Sequence, residues 1–153
     1  MAEIRSPNVV ALMNATKTTR SYYLAMELCN GKDLENFVQQ RGGYLKEQEA
    51  RLILCQIVEG MTAIKAKDVM HRDLKLPNIM MNFSDLKQNI VADPEFSGFD
   101  LNYYIRHFDY EKKHSTVTCK IADLGFARKL EEDQLAATNC GTPLMMAPEV
   151  LTN

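Results

Sequence analysis

The stretch that decides the fold is His71-Arg-Asp-Leu-Lys-Leu-Pro-Asn78, which carries a carboxylate, an amine and a carboxamide at close spacing. These groups suit work on a phosphate, because Asp73 can orient and deprotonate a hydroxyl while Lys75 neutralises charge on the phosphoryl group. Asn78 offers a hard oxygen ligand to Mg²⁺. Apolar residues flank the stretch on both sides and should pin this polar loop against a core. The pattern therefore predicts phosphoryl transfer.

Two further motifs follow in the chain, and with them a family resemblance. The octapeptide resembles the catalytic loop of the eukaryotic protein kinases, His-Arg-Asp-Leu-Lys-x-x-Asn. Residues 120–128, Lys-Ile-Ala-Asp-Leu-Gly-Phe-Ala-Arg, resemble the metal-binding Asp-Phe-Gly segment, with Leu124 in place of Phe. Residues 141–149, Gly-Thr-Pro-Leu-Met-Met-Ala-Pro-Glu, resemble the end of the activation segment. The resemblance implies an α+β, protein-kinase-like fold.

The length of the chain indicates one domain, and the resemblance implies that it is part of a larger one. At 153 residues and 46% hydrophobic composition, the chain can bury a real core. A whole two-lobed kinase domain is longer, so residues 6–29 are expected to be small-lobe strands and hinge, and residues 30–153 the mainly helical upper part of the large lobe. The sequence contains no Gly-x-Gly-x-x-Gly loop and no Val-Ala-Ile-Lys strand. We expect both to lie upstream, and the isolated chain to be inactive.

Charge and cysteine content exclude several classes of protein. A net charge of -2 gives no electrostatic case for binding nucleic acid or a polybasic attachment to membranes. The four cysteines form no Cys-x-x-Cys pair, so neither a zinc site nor a disulfide scaffold is indicated, and Cys55 and Cys119 are expected to be buried. No apolar run is long enough to form a transmembrane segment. These features predict a soluble, cytoplasmic protein.

Local patterns predict the elements of the first forty residues. Residues 6–12 resemble the kinase segment that joins the regulatory helix of the small lobe to its fourth strand. Residues 22–28 are an aromatic and apolar run with the signature of a strand, and the polar residues 14–20 lie between the two segments, which together indicate a hairpin. Residues 33–40 are expected to form a short helix, which Gly42 and its neighbour would end.

Residues 46–65 have the spacing of one long amphipathic helix. Its predicted buried face consists of Ala50, Ile53, Leu54, Ile57, Val58, Met61 and Ile64. Its predicted polar face consists of Glu47, Glu49, Arg51, Gln56, Glu59 and Lys65. Lys46 is a poor residue at the start of a helix, where Ser, Thr or Asp is preferred.

An insertion separates the second motif from the first. Asn78 and Asp123 are 45 positions apart, whereas kinases commonly join these motifs with a short hairpin. The insertion at about residues 84–118 has polar ends and six aromatic residues between them. Its aromatic residues could dock on the lobe or on a partner, but disorder is the preferred interpretation for a connection of this length. Regulatory proteins are the expected partners of the insertion.

The resemblance also implies an ATP site. Met26 would guard the back pocket, the carbonyl of Glu27 and the amide of Cys29 would meet the adenine edge, and Met80 would form the floor. Asp33 would reach the ribose. The alternative role of Met26 is to fill a core on a buried strand.

Metal binding and regulation are implied in the same way. Asn78 and Asp123 are the expected Mg²⁺ ligands. His71 is expected to pack and hydrogen-bond locally. Arg72 would pair with a phosphorylated Thr138, ordering the activation segment.

The substrate class follows from Lys75 and Thr142. Ser/Thr kinases resemble this pattern, in which the threonine of Gly-Thr-Pro hydrogen-bonds Asp73 and Lys75, and the substrate would be a protein. Residues 76–77, Leu-Pro, depart from the family, which usually has Pro directly after the Lys. The hinge and activation segments look most like the autophagy-initiating kinases of the uncoordinated-like group. Two alternatives stay open: a catalytically inactive interaction or decoy module, and a small-molecule phosphotransferase.

Overall fold

The structure is a computed structural model that describes residues 4–86, 100–124, 128–129 and 142–148. Its strands are β1 (Leu12–Lys17), β2 (Tyr22–Met26), β3 (Val69–Met70), β4 (Ile79–Phe83), β5 (Val117–Ile121) and β6 (Arg128–Lys129). Its α-helices are α1 (Leu34–Gln40), α2 (Glu47–Lys65), α3 (Leu101–His107) and α4 (Tyr110–Lys113). Short 3₁₀ turns cover Leu76–Asn78, His114–Thr116 and Pro143–Met145. None of the helices in these ranges is long and apolar enough to cross a bilayer.

A hairpin forms at the start of the chain, as predicted, but its first strand is not where it was expected. β1 pairs antiparallel with β2, from Leu12 opposite Met26 to Lys17 opposite Tyr22. The prediction was wrong in assigning residues 14–20 to the connection, since most of β1 lies there. Nearly every residue of both strands is exposed, so apolar burial among the described residues does not determine the pairing.

A second antiparallel pair, β4 and β5, forms the centre of the core. Its register runs from Ile79 opposite Ile121 to Phe83 opposite Val117, and alternate residues of both strands are buried. Asn8–Val10 adds a short parallel partner on the other edge of β5: Val10 N donates to Ile121 O at 2.9 Å. β5, whose end leads to Asp123, is thereby paired along both of its edges.

Helix α2 spans the predicted residues, yet its buried face is narrower than its sequence indicates. Ile53 and Ile64 are buried against the core. Leu54 is 57% exposed and Val58 is 62% exposed, so their predicted burial was wrong. They lie on the shoulder of the helix, turned away from the sheet, and no described residue covers them. Glu49, assigned to the polar face, is 2% exposed.

The start of α2 explains why Lys46 is tolerated there. The backbone N–H of Lys46 donates to Glu49 Oε2 at 3.1 Å, so a residue inside the first turn reaches back to the helix start. This is one half of a capping box, without a capping side chain at the first position.

Residues 100–118 of the insertion are folded against the core, which for these residues corrects the interpretation that the insertion is disordered. Helices α3 and α4 and the residues between them bury Ile105, Phe108 and Tyr110 almost completely. Phe108 packs edge-on against Phe83 at 4.9 Å between ring centroids, and Tyr110 packs edge-on against Phe37 at 6.4 Å. The prediction failed because the free energy gained by burying these aromatic rings is large enough to fold the segment despite the polar residues at its ends.

The cysteines divide by position. Cys119 is buried on β5, as predicted, whereas Cys55 is exposed on the same shoulder of α2 as Leu54. The prediction for Cys55 was wrong because it assumed a wider buried face for the helix. The described cysteines, Cys29, Cys55 and Cys119, are free thiols.

Candidate active site

Three side chains close a hydrogen-bonded triangle: Asp73 and Lys75 from the loop before β4, and Thr142 from directly before the 3₁₀ turn Pro143–Met145. Thr142 Oγ1 donates to Asp73 Oδ1 at 2.7 Å, and Lys75 Nζ donates to Thr142 Oγ1 at 2.8 Å. Lys75 Nζ also lies 2.8 Å from Asp73 Oδ2. Asp73 is 6% exposed, and both of its oxygens are therefore held in fixed directions. The structure thus brings together Asp73, Lys75 and Thr142, the three residues expected to be catalytic.

The electrostatics of the triangle keep the carboxylate charged. Hydrogen bonds from Lys75 and then from Thr142 hold the pKa of Asp73 below its ordinary value, and they outweigh the opposing effect of burial. An ionised carboxylate accepts hydrogen bonds only, so Asp73 presents an acceptor to any hydroxyl that approaches it.

His71 joins this loop to the loop that follows β5. The imidazole is 2% exposed, its Nε2 lies 2.9 Å from Ala122 O, and its Nδ1 lies 3.3 Å from the backbone nitrogen of Asp73. A neutral ring with the proton on Nε2 satisfies both contacts. The packing role expected for His71 fits this geometry.

The two expected metal ligands are carried by neighbouring backbone segments. Asn78 Nδ2 donates to Asp73 O at 2.8 Å and contacts Asp73 Oδ2 at 3.2 Å, which leaves the carboxamide oxygen as the atom suited to a cation. Ala122 N donates to Asn78 O at 2.8 Å, and Asp123 is the next residue after Ala122. This hydrogen bond therefore holds the backbone of the two expected ligands close together. Asp123 has a φ of 55°, a left-handed conformation that turns the chain sharply after β5. Two oxygen donors fit Mg²⁺, which keeps several waters and takes its other ligands from phosphate.

The expected hinge runs from β2 along the edge of β4. Gly31 N donates to Met81 O, and Met81 N donates to Lys32 O, both at 2.8 Å. The isolated bridge between Asp33 and Met80 extends this pairing. Asp33 also caps α1, since its Oδ1 accepts from Asn36 N at 2.7 Å. The expected floor residue is therefore held beside the exit of the hinge.

Met26, at the end of β2, is 47% exposed and fills no core among the described residues. Leu124, the residue in place of the family's Phe, is 8% exposed and packs in the core.

Arg72, the residue expected to pair with a phosphorylated threonine, has a φ of 68° and directly precedes Asp73 in the chain. Thr138, its expected partner when phosphorylated, lies outside the described residues, as does Glu149.

Sequence reasoning missed an ion pair behind the hinge. Lys120 Nζ lies 3.1 Å from Glu27 Oε1, and both side chains are largely buried. Lys120 is directly opposite Met80 in the β4–β5 register, and residues directly opposite one another project from the same face of a sheet. The signal in the sequence was a lysine at a strand position that faces the hinge, because a charged side chain in such a position needs a partner of opposite charge.

Comparison with known proteins agrees with this geometry. The family model described as "Protein kinase domain" matches residues 1–153. Serine/threonine-protein kinase unc-51 of Caenorhabditis elegans is 35% identical over 151 residues, which cover 99% of this chain and 15% of that protein. Serine/threonine-protein kinase ULK1 of Homo sapiens is 35% identical over 99% of this chain and 12% of its own length. For serine/threonine-protein kinase ATG1c of Arabidopsis thaliana the identity is 30%, over 99% of this chain and 16% of that protein.

These relatives confirm the resemblance to the uncoordinated-like group. The chain spans between 12% and 16% of the length of the three relatives, so the comparison concerns one region of each. The matched region contains the three motifs quoted above, at residues 71–78, 120–128 and 141–149. A match along its whole length shows that this chain belongs to the protein kinase family.

Proposed function

We propose that this chain is part of an enzyme that phosphorylates serine and threonine in protein substrates with ATP. The observation that supports this most is the triangle of Asp73, Lys75 and Thr142, with its distances of 2.7 to 2.8 Å. It places a charged acceptor and a cation side by side in a buried loop, which is the arrangement that phosphoryl transfer to a hydroxyl requires. The names of the relatives, all serine/threonine-protein kinases, support the same class.

Each residue of the triangle has a separate role in this proposal. Asp73 orients the substrate hydroxyl and accepts its proton as the oxygen attacks phosphorus. Lys75, already paired with Asp73, offers its positive charge to the phosphoryl group. Thr142 bridges the two and fixes the loop that receives the substrate chain.

The cofactors of the proposed enzyme are ATP and Mg²⁺. When bound, Mg²⁺ neutralises charge on the phosphates and ATP supplies the group that is transferred. Asn78 and Asp123 would hold the metal ion. The carbonyl of Glu27 and the amide of Cys29 would bind the adenine edge, with Met80 below, Met26 at the back and Asp33 toward the ribose.

The remaining expectations concern the organisation of the chain. Residues 6–29 would belong to the small lobe and hinge, and residues 30–153 to the large lobe with the insertion at about 84–118. Phosphorylation of Thr138 would order the activation segment through Arg72. The outer side of the insertion, where Tyr103 is 59% exposed, would contact regulatory proteins. The free thiols of the described residues favour a cytoplasmic location.

The test is phosphate transfer by the longest natural protein that carries this sequence, compared with its Asp73→Asn variant. We expect turnover to fall by about 10²-fold or more, while the affinity for Mg-ATP stays nearly unchanged, because the carboxylate acts on the hydroxyl. Asp68→Asn is the matched control, since Asp68 is exposed, and Asn also tolerates its left-handed φ of 54°.

Turnover of Asp73→Asn within about tenfold of the parent would contradict the assignment of the base. A parent protein that binds other proteins but transfers no phosphate would support the alternative of an inactive interaction module.

A further inference from the structure

We propose that the ion pair between Glu27 and Lys120 positions the hinge over the nucleotide slot and so sets the affinity for ATP. This inference rests on the proposed function, because it assigns a role to residues behind the proposed adenine site. Neither side chain is placed against the nucleotide by this proposal. The pair acts through the backbone of the hinge.

The pair connects the two walls of the slot. Lys120 stands on β5 directly opposite Met80, the proposed floor of the slot, so the two side chains project from the same face of the sheet. The Lys120 ammonium reaches the carboxylate of Glu27, at the entry of the hinge, over 3.1 Å. This contact therefore links the entry of the hinge to the strand that pairs with the floor residue.

Glu27 is held in three ways, which makes it suited to this role. Its Oε1 accepts from Ala11 N at 2.8 Å in addition to Lys120 Nζ, and its backbone N–H donates to Ala11 O at 3.0 Å. Ala11 directly precedes β1. One side chain thus joins the start of the hairpin, the hinge and β5.

The hinge is consequently anchored at both ends. At its exit, Asn30 Nδ2 donates to Phe83 O at 2.9 Å, and Gly31 N donates to Met81 O. At its entry, Glu27 is the residue that reaches β5. The backbone groups proposed to meet adenine, on Glu27 and Cys29, lie at and just after the entry anchor. Loss of that anchor would increase the motion of these groups before ligand binds.

The burial of the pair makes it stronger than an ordinary surface contact. The side chain of Lys120 is 12% exposed and that of Glu27 is 28% exposed. In contrast, Lys112 and Asp109 form a pair of 3.2 Å on the insertion with side chains that are 84% and 44% exposed. Solvent screens the exposed pair much more strongly than the partly buried pair. Replacement of Lys112 is therefore a matched control for replacement of Lys120.

The Cys29 thiol provides an internal probe of the pair. Burial, and then the negative charge of Glu27, raise the pKa of Cys29 to about 11, while the positive charge of Lys120 acts in the opposite direction. Removal of the lysine charge should raise the pKa further, and removal of the glutamate charge should lower it. A general loosening of the structure would instead shift the pKa of the Cys29 thiol in the same direction in both variants.

The experiment compares the longest natural protein carrying this sequence with four variants: Lys120→Met, Glu27→Gln, Lys120→Arg and Lys112→Met. Calorimetry gives the Kd for Mg-ATP, steady-state kinetics give KM and kcat, and mass spectrometry gives the alkylation rate of Cys29 by iodoacetamide. Thermal unfolding without nucleotide checks that each variant is folded.

We expect Lys120→Met and Glu27→Gln to raise the Kd for Mg-ATP by about five- to tenfold, because ordering the hinge becomes part of the cost of binding. For Lys120→Met, KM should rise with kcat nearly unchanged, the pattern of lost uniform binding. Lys120→Arg and Lys112→Met should keep the parent affinity. Alkylation of Cys29 should slow in Lys120→Met and accelerate in Glu27→Gln, since the thiolate is the reactive form.

An unchanged Kd for folded Lys120→Met would overturn the inference, as would a loss of kcat at constant KM. Alkylation of Cys29 that changes in the same direction in both variants would also overturn it. A parent protein that binds Mg-ATP with a Kd that Lys120→Met leaves unchanged would overturn this inference alone. A parent protein that binds no Mg-ATP would overturn the proposed function as well.

Discussion

Arg41 and Phe108 are joined by a hydrogen bond of 2.6 Å from the guanidinium to a backbone carbonyl oxygen, which fastens the insertion to the end of α1. The same guanidinium forms an ion pair with Glu49 and lies 5.2 Å from the ring centre of Phe37. A single side chain therefore connects the end of α1, the start of α2 and the insertion, which lies 67 positions further along the chain.

The first prediction concerns the stability provided by Arg41. We expect Arg41→Met to lower the free energy of unfolding by about 3–5 kcal/mol, because the nearly buried Glu49 carboxylate loses its partner. Urea denaturation measures the change. Lys46→Met is the control: its pair with Glu111 is exposed at both ends, so its loss should cost less than about 1 kcal/mol. Equal losses in the two variants would contradict the importance of the Arg41 pair.

The second prediction concerns the acid limb of the activity profile. The lowered pKa of Asp73 keeps the base ionised, and activity should persist until the pH falls through that folded-state pKa. Thr142→Val removes one of the hydrogen bonds that lower the pKa, so the acid limb should move to higher pH. Thr142→Ser keeps the hydroxyl and should restore the parent profile. An acid limb at the same pH in Thr142→Val would show that this bond does not tune the base.

The third prediction concerns the proposed metal ligand Asp123. Asp123→Ala should weaken the binding of Mg-ATP, because it removes a carboxylate oxygen from a site that provides two protein ligands. The affinity for ATP measured by calorimetry without Mg²⁺ is the control and should stay close to that of the parent. Equal Mg-ATP affinity in variant and parent would argue against a role in metal binding.

The fourth prediction concerns residues 1–153 expressed alone. Large apolar side chains of the hairpin and of α2 are exposed, including Met13 at 74%, Tyr22 at 70% and Val58 at 62%. Such patches drive association, and a domain has only about 5–15 kcal/mol of stability to lose. We expect this segment to self-associate, as measured by light scattering, and to transfer no phosphate. A monomer that unfolds cooperatively and is active would disprove the prediction.

Features set by local sequence could be predicted well. The spacing within residues 71–78 determines which side chains can meet, and the structure brings Asp73 and Asn78 into contact as that spacing requires. Helix α2 could be placed because its apolar repeat recurs over five turns. In both cases neighbouring residues carry the information.

Features that depend on distant packing could not be predicted. The exposure of Leu54 and Val58 depends on what lies beside α2, which an apolar repeat does not specify. The order of the insertion depends on rings such as Phe37 and Phe83, far away in the chain. Thr142 was placed beside Asp73 through a family resemblance, because spacing alone cannot join residues 69 positions apart.

The contact of Asn8 with β5 also limits when this part of the fold can form during synthesis. Asn8 Nδ2 donates to Cys119 O at 3.0 Å across 111 positions of sequence. Ribosomes synthesise about 5–20 residues per second, so the partner of Asn8 is made roughly 5–20 s after Asn8 itself. During that interval β5 does not yet exist, and the segment around Val9 remains available to chaperones. The loop that presents Asp123 can therefore mature only after the whole insertion has been translated.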